Sequence, residues 1–108
     1  MSWLTRLVVP ALAAVLLAAP AAADPDTDFT NELHTYGVYG QKDYNAWIGK
    51  ITCKRLDRRV DKDVYASATF VHGHLAHGAT TEQAWQFLTA ALRTYCPQHL
   101  GRLDVAAR

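Results

Sequence analysis

Two cysteines, Cys53 and Cys96, are the only ones in this 108-residue chain, and their pairing would constrain its fold more than any other feature. A chain of this length has room for one compact domain, so a bond between them would tie together two distant parts of the same unit. Disulfides persist in oxidising spaces outside the cytoplasm and are rare inside it. The pairing therefore depends on whether the chain is exported.

The first residues have the parts of a secretory signal peptide. A charged start ends at Arg6, an uncharged apolar stretch covers 7–19, and small alanines follow it. This stretch is shorter than the roughly 20 residues that span a bilayer as a helix, and Pro10 interrupts it. We predict a signal peptide over 1–23, cleaved after Ala23, and no stable membrane span in the rest of the chain. An uncleaved anchor is the alternative.

Export makes a disulfide between Cys53 and Cys96 the expected outcome, because small exported domains with an even number of cysteines usually pair them. Closing a loop of this length would stabilise the fold by ~4 kcal/mol, a large share of the ~5–10 kcal/mol that such a domain can have. Two free thiols in a core, or one reactive thiol, is the alternative. We predict that the protein is secreted or lies in the cell envelope.

The exported part of the chain is electrically balanced. Of the 11 Lys and Arg residues only Arg6 lies in the predicted signal peptide, and all 10 Asp and Glu residues follow it. A general nucleic-acid binder gains its affinity by neutralising phosphates with a basic surface. The zero net charge therefore predicts that nucleic acid is not a partner.

Helical patterns follow one another along the exported part, and no segment shows the two-residue alternation of a half-buried strand. In order, the pattern predicts a helix over about 27–36 stopped by Gly37, a second capped by Asp43, a third from Asp61 or Asp63 to Gly78, and a fourth from Thr80 or Thr81 to Cys96. We therefore predict an all-α fold, a compact bundle of about four short helices over 24–100. Its one disulfide links the central helix to the end of the C-terminal helix, and 101–108 form a flexible, frayed tail.

The second helix is apolar on two sides when successive residues are spaced about 100° apart. One side carries Tyr44, Trp47, Ile48 and Ile51, and the other carries Gly49, Cys53, Leu56 and Val60. Such a helix is normally sandwiched between others, so we predict that it is the central one. Trp47, and Trp85 on the fourth helix, are expected to pack in the core; a ligand pocket between helices is the alternative.

A basic cluster occupies the far end of the second helix and the residues after it. It consists of Lys50, Lys54, Arg55, Arg58, Arg59 and Lys62. One interpretation is a patch for an anionic envelope lipid, polymer or protein partner. The other is a solvated helix end whose cations complement the helix dipole, because Asp57, Asp61 and Asp63 interleave the run.

A histidine cluster, His72, His74 and His77, is the only local group that could bind a metal or haem. His74 and His77 lie about 60° apart on a helix and could share an ion, but His72 points roughly the other way, so we predict no metal site. Tyr65 and His72 share a face, and either residue type can be an axial haem ligand. The other interpretation is that these histidines are ordinary, part-exposed residues without a ligand. We predict no cofactor.

Catalytic motifs are absent from the sequence. There is no Gly-x-Ser-x-Gly elbow, no glycine-rich phosphate loop and no His-Glu-x-x-His helix. The carboxylates cluster at predicted helix starts, where capping accounts for them. We therefore expect no enzymatic activity.

Several of these residues together resemble a known family. They are Phe29 and Leu33 after an acidic start, the turn Gly37-Val38, the lone upstream Cys53, the run Thr80-Thr81-Glu82-Gln83-Ala84 and the ending Tyr95-Cys96-Pro97-Gln98. The pattern, over about 26–98, resembles a group of small exported actinobacterial proteins known only as domain of unknown function 732 (DUF732). The resemblance implies an exported helical domain with one disulfide and no established activity.

The functional expectation follows from export, a stapled scaffold and the lack of a catalytic motif. We expect a non-enzymatic extracellular or envelope protein that binds another macromolecule, either a protein or an envelope component. The alternative is a small-ligand carrier, with haem as the most testable case, that uses Tyr65, His72, His74 or His77.

Overall fold

The fold is described by a computed structural model, which covers residues 24–106. The elements are α1 (Pro25–Thr35), α2 (Lys42–Asp57), α3 (Val64–His74), α4 (Thr81–Tyr95), a 3₁₀ turn (Pro97–His99) and α5 (Gly101–Ala106). These residues contain no strand, which confirms the all-α prediction. None of their helices is both long and apolar enough to cross a bilayer. The predicted signal peptide over 1–23 lies outside the described residues.

The helix starts follow local capping chemistry. α1 begins at Pro25, two residues earlier than predicted, because proline fits the first helical position, where no backbone N–H is required. The cap of α2 is Gln41, whose side-chain oxygen accepts from the Tyr44 amide at 2.8 Å; the prediction that Asp43 caps this helix is wrong. Asp43 instead lies in the first turn, where its charge complements the helix dipole.

The two later helices begin where the sequence predicts. Asp63 caps α3, and Thr80 and Gln83 form a reciprocal capping box at the start of α4, with distances of 3.0 and 2.9 Å. α3 ends at His74, before the predicted stop at Gly78, because Leu75 adopts an extended backbone and packs against the core.

α2 and α4 form the centre of the bundle, since each of them contacts all three of the other main helices. One part of the core surrounds Phe29 and Phe87, whose rings meet edge to face at 5.1 Å. The other part surrounds the disulfide and includes Leu56 and Leu88.

The disulfide joins Cys53 in α2 to Cys96 at the end of α4, with the two Cα atoms 5.9 Å apart. This confirms both the predicted pairing and the predicted link between a central helix and the end of the bundle. Both cysteines are buried, so the bond lies inside the core.

The sequence predicts a flexible tail after Leu100. Gly101–Ala106 forms α5, and Leu103 and Ala106 pack against the core beside the disulfide. The Tyr65 hydroxyl also donates to the Ala106 carbonyl at 2.9 Å. The flexibility of this segment stays a prediction, but its backbone is helical and in contact with the bundle to Ala106.

His99 fastens this segment to the end of α2. Its Nε2 lies 2.6 Å from Asp57, and its Nδ1 accepts from the Arg102 guanidinium at 3.0 Å. The arrangement is satisfied when the ring carries its hydrogen on Nε2. The largely buried imidazole thus connects α2 to the C-terminal residues.

Candidate interaction surface

The outward side of α2 exposes aromatic residues. The Trp47 side chain is 57% exposed and Tyr44 is 40% exposed, and their ring centroids lie 6.1 Å apart. The prediction that Trp47 packs in the core is wrong. Three helices cover the side of α2 that carries Ile48, Thr52 and Leu56, and Trp47 lies almost opposite that side.

Cations continue the same side of the helix. Lys50, Lys54 and Arg58 follow Trp47 by three, seven and eleven residues, so the four side chains lie along one ridge. Lys50 pairs with Asp26 at 3.2 Å. Lys54 and Arg58 have no carboxylate within 4.0 Å anywhere in residues 24–106. We call Tyr44, Trp47, Lys50, Lys54 and Arg58 the α2 face.

Arg55 is part of the fold and not of this surface. Its guanidinium donates to both oxygens of Asp61, at 2.8 and 2.9 Å, and lies over the Phe70 ring at 4.2 Å. Asp61 is only 3% exposed and also accepts from the Ser67 hydroxyl. The hydrogen bond to Asp61 raises the pKa of Arg55, so the guanidinium stays charged. This partly buried pair connects the end of α2 to the turn before α3.

That turn presents further cations. Arg59 has a φ of 60°, a left-handed backbone conformation that costs a non-glycine residue ~1–2 kcal/mol. The amides of Arg59 and Val60 donate back to the Leu56 and Arg55 carbonyls and close α2. Arg59 and Lys62 are exposed, and Val60 is 61% exposed. The predicted basic cluster is therefore intact except for Arg55 and the paired Lys50.

The predicted ligand residues are divided among separate places. Tyr65 and His72 line one groove between α3 and α4, of about 270 Å³, with Trp85 as a further wall. His74 lies against the Phe70 ring and bonds the Phe70 carbonyl, and His77 lines a different hollow beside the α3–α4 turn. Only the first two are brought together.

The groove has limited means to hold a ligand. The Nε2 atom of His72 is engaged with the Ala79 carbonyl at 2.9 Å, which leaves Nδ1 as the other ring nitrogen. Trp85 is half-buried, meets Tyr65 edge to face at 5.4 Å and packs against the core around the disulfide. Within residues 24–106 no three His, Cys, Asp or Glu residues are placed to hold a metal ion.

A polar tie between α1 and α4 was not predicted. The Tyr95 hydroxyl donates to Asp26 at 2.6 Å, and Arg93 donates to Glu32 at 2.6 Å. The bond from Tyr95 lowers the pKa of Asp26, while burial and that carboxylate raise the pKa of Tyr95. At neutral pH Asp26 is therefore a carboxylate that accepts the hydrogen bond, and Tyr95 is a neutral hydroxyl that donates it. Asp26 and Tyr95 are 69 residues apart in the sequence, and no local sequence pattern indicates that they form a pair.

The exposure of the α2 face did have a sequence signal. A tryptophan followed on successive turns by lysine or arginine is more typical of a solvated helix side than of a sandwiched one. The prediction of a buried Trp47 assigns every large aromatic residue to the core. The structure shows that the buried side of α2 is instead centred on Ile48, Thr52 and Leu56.

Comparisons with known proteins find a matching family profile and two similar proteins. A family profile described as "Protein of unknown function (DUF732)" matches residues 25–98. Two proteins of Mycobacterium tuberculosis, the uncharacterized protein MT0585 of strain CDC 1551 / Oshkosh and the uncharacterized protein Rv0559c of strain H37Rv, are each 55% identical to the chain over 96 residues. The matches cover 88% of this chain and 86% of each relative. No solved structure is significantly similar to it.

Proposed function

The chain belongs to the DUF732 family of proteins of unknown function, and from that premise we propose that it is an exported, non-enzymatic protein that binds a macromolecular partner through its α2 face. The observation that carries the proposal is the exposure of Trp47, at 57%, in the middle of that face. An exposed tryptophan beside a tyrosine and unpaired cations has the composition of a binding surface.

Burial of the exposed side chains of this surface would contribute to binding. Full burial of a side chain such as Trp47 contributes ~1.5–3 kcal/mol, and tryptophan, tyrosine and arginine are the residues that most often dominate interface energies. α2 is also a stable platform, because it is central in the bundle and bonded to α4 through Cys53. Little backbone conformational entropy would therefore be lost on binding.

The lack of enzymatic activity is part of the proposal. Three carboxylates of the described domain form hydrogen bonds that connect parts of the fold: Asp26 with Tyr95, Glu32 with Arg93, and Asp61 with Arg55. These three carboxylates are therefore already bonded within the fold. The predicted signal peptide and the buried disulfide support a place outside the cytoplasm.

Site-specific photo-crosslinking tests the proposal. A photoreactive phenylalanine replaces Trp47 in the protein exported by a mycobacterial host, and a second variant carries it at Asn31, an exposed residue of α1. We expect a discrete cross-linked product from position 47, with either a protein or a lipid, and none from position 31. Equal cross-linking at both positions, or none at either, would contradict the proposal.

A second candidate function is that of a small-ligand carrier with a haem-like ligand. The supporting observation is that Tyr65 and His72 line one groove. Its volume of about 270 Å³ lies below the ~300–1,000 Å³ of typical ligand pockets. Titration with haem tests the candidate: a saturable Soret shift that Tyr65→Phe or His72→Ala abolishes would support it, and a spectrum unchanged by both variants would dismiss it.

A further inference from the structure

We propose that the partner of the α2 face is an anionic lipid surface. This inference rests on the proposed function and adds the chemistry of the partner. It starts from two properties that occur together on the α2 face and the turn after it: exposed apolar side chains and cations without an internal partner.

The apolar groups stand at both ends of the row of cations. Trp47 and Tyr44 lie near the start of α2, and Val60 lies in the turn that ends it. Tryptophan and tyrosine are enriched at membrane interfaces because an apolar ring with a polar edge suits the headgroup level. A helix that binds in this plane carries such residues on its lipid side with lysine and arginine around them.

The ion pairs of the fold leave a specific set of cations free. Asp26 pairs with Lys50 and Asp61 pairs with Arg55, while Asp57 accepts a hydrogen bond from the His99 ring. Among the described residues, four cations of this region remain without a carboxylate within 4.0 Å: Lys54, Arg58, Arg59 and Lys62. These four cations outnumber the three carboxylates of α2 and the turn that pair with no Lys or Arg (Asp43, Asp57 and Asp63), so a chain whose exported part has no net charge keeps a local positive surface that is complementary to anionic headgroups.

The backbone at Arg59 is an independent observation. The residue that ends a helix with positive φ is usually glycine or asparagine, yet this position carries arginine at a φ of 60°. The strained conformation places an exposed cation between Arg58 and Val60. Val60 is exposed beside it. An apolar tip among cations suits insertion between headgroups.

The shape of the surface favours a membrane over a small anion. Lys62 lines a hollow between α3 and α5, but neither Trp47 nor Lys54 lines any of the four hollows found along α3, α4 and α5. Small-molecule sites are concave, whereas the α2 face is the convex side of one helix. A planar, deformable array of headgroups can contact the whole ridge at once.

Vesicle binding tests the inference, with Trp47 as the reporter. The exported protein carries Trp85→Phe, so that Trp47 is the only tryptophan once the signal peptide is removed, which mass analysis checks. It is titrated with vesicles of phosphatidylglycerol and phosphatidylcholine, and with phosphatidylcholine vesicles alone. We expect saturable binding to the anionic vesicles only, with a blue shift of Trp47 emission and quenching by lipids brominated on the acyl chain.

Matched variants test the role of the face. Lys54→Gln should lower the partition coefficient about fivefold, the effect of one cation near an anionic surface. Lys42→Gln, which removes an exposed cation that pairs with Asp24 and is not part of the α2 face, should change it less than twofold. Circular dichroism checks that both variants are folded. Equal losses in the two variants would overturn the inference, because binding would then depend on overall charge alone.

Two further outcomes would also overturn it. One is equal binding to anionic and neutral vesicles. The other is binding to soluble polyphosphate but not to vesicles, which would identify an anionic polymer as the partner. If vesicles fail but a protein still cross-links from position 47, the lipid inference fails and the proposed function stands. Failure of both experiments removes both.

Discussion

Gly49 shows how closely α2 is packed at the scale of one residue. A Cβ atom added there would lie 3.0 Å from the Tyr95 ring and 3.2 Å from the Phe29 ring. Gly49 has no positive φ, so the steric contact, and not the backbone, requires glycine. The sequence places Gly49 on an apolar side of α2, but the neighbours that make it necessary come from α1 and α4.

We predict that Gly49→Ala destabilises the protein. Overpacking costs ~1–3 kcal/mol, and the better helix propensity of alanine recovers up to ~1 kcal/mol, so the net loss should be about 1–2 kcal/mol. Gly73→Ala in α3 is the matched control, since no atom lies within 4 Å of its added Cβ and it should stabilise by ~0.5–1 kcal/mol. Urea denaturation measures both, and a Gly49→Ala protein as stable as the wild type would contradict the packing.

At the scale of elements, the sequence predicts the positions of the helices better than it predicts which side of each helix is buried. The capping box at Thr80 is local chemistry and was found, whereas Gln41 took the capping role expected of Asp43. The burial of a helix side depends on tertiary neighbours, so the exposure of Trp47 was missed. The contacts of α5 were missed for the same reason, because Leu103 and Ala106 need the surface beside the disulfide to pack.

The attachment of α1 should depend on pH. The bond from Tyr95 lowers the pKa of Asp26. Burial alone would raise the pKa of Glu32, but the bonds from Arg93 and Tyr36 bring it below its usual value. A carboxylate with a lowered folded pKa adds stability above its unfolded pKa, and that stability is lost as the pH falls through the folded value. The unfolded values are about 3.9 and 4.3, so the loss should begin below about pH 5.

We therefore predict that the free energy of unfolding falls between about pH 5 and pH 2, and that Asp26→Asn with Glu32→Gln makes the fall shallower. At neutral pH the double variant should be about 1 kcal/mol less stable, because partly exposed pairs contribute little. Asp28→Asn is the control, since Asp28 is exposed and its carboxylate bonds no partner in the described chain. Urea titrations across the pH range measure the effect, and parallel curves for the double variant and the wild type would contradict it.

At the scale of the whole molecule, the disulfide should make the stability of the fold depend on whether its surroundings are oxidising or reducing. Cys53 and Cys96 are 43 residues apart, and closing a loop of this length stabilises the folded state by ~4 kcal/mol in the chain-entropy model. Small domains have only ~5–10 kcal/mol in total, so reduction should remove a large share of the stability. The sequence predicted this link because export and cysteine count are global properties that need no side-chain geometry.

We predict that dithiothreitol lowers the free energy of unfolding of the wild type by about 2–4 kcal/mol. The control is Cys53→Ala with Cys96→Ala, which should be as weak as the reduced wild type and insensitive to the reductant, because alanine fills the same buried sites without a bond. Denaturation with and without reductant, with mass analysis of the oxidised chain, checks both. A wild type that unfolds at the same urea concentration in either state would mean that packing of α2 against α4 alone holds these helices together.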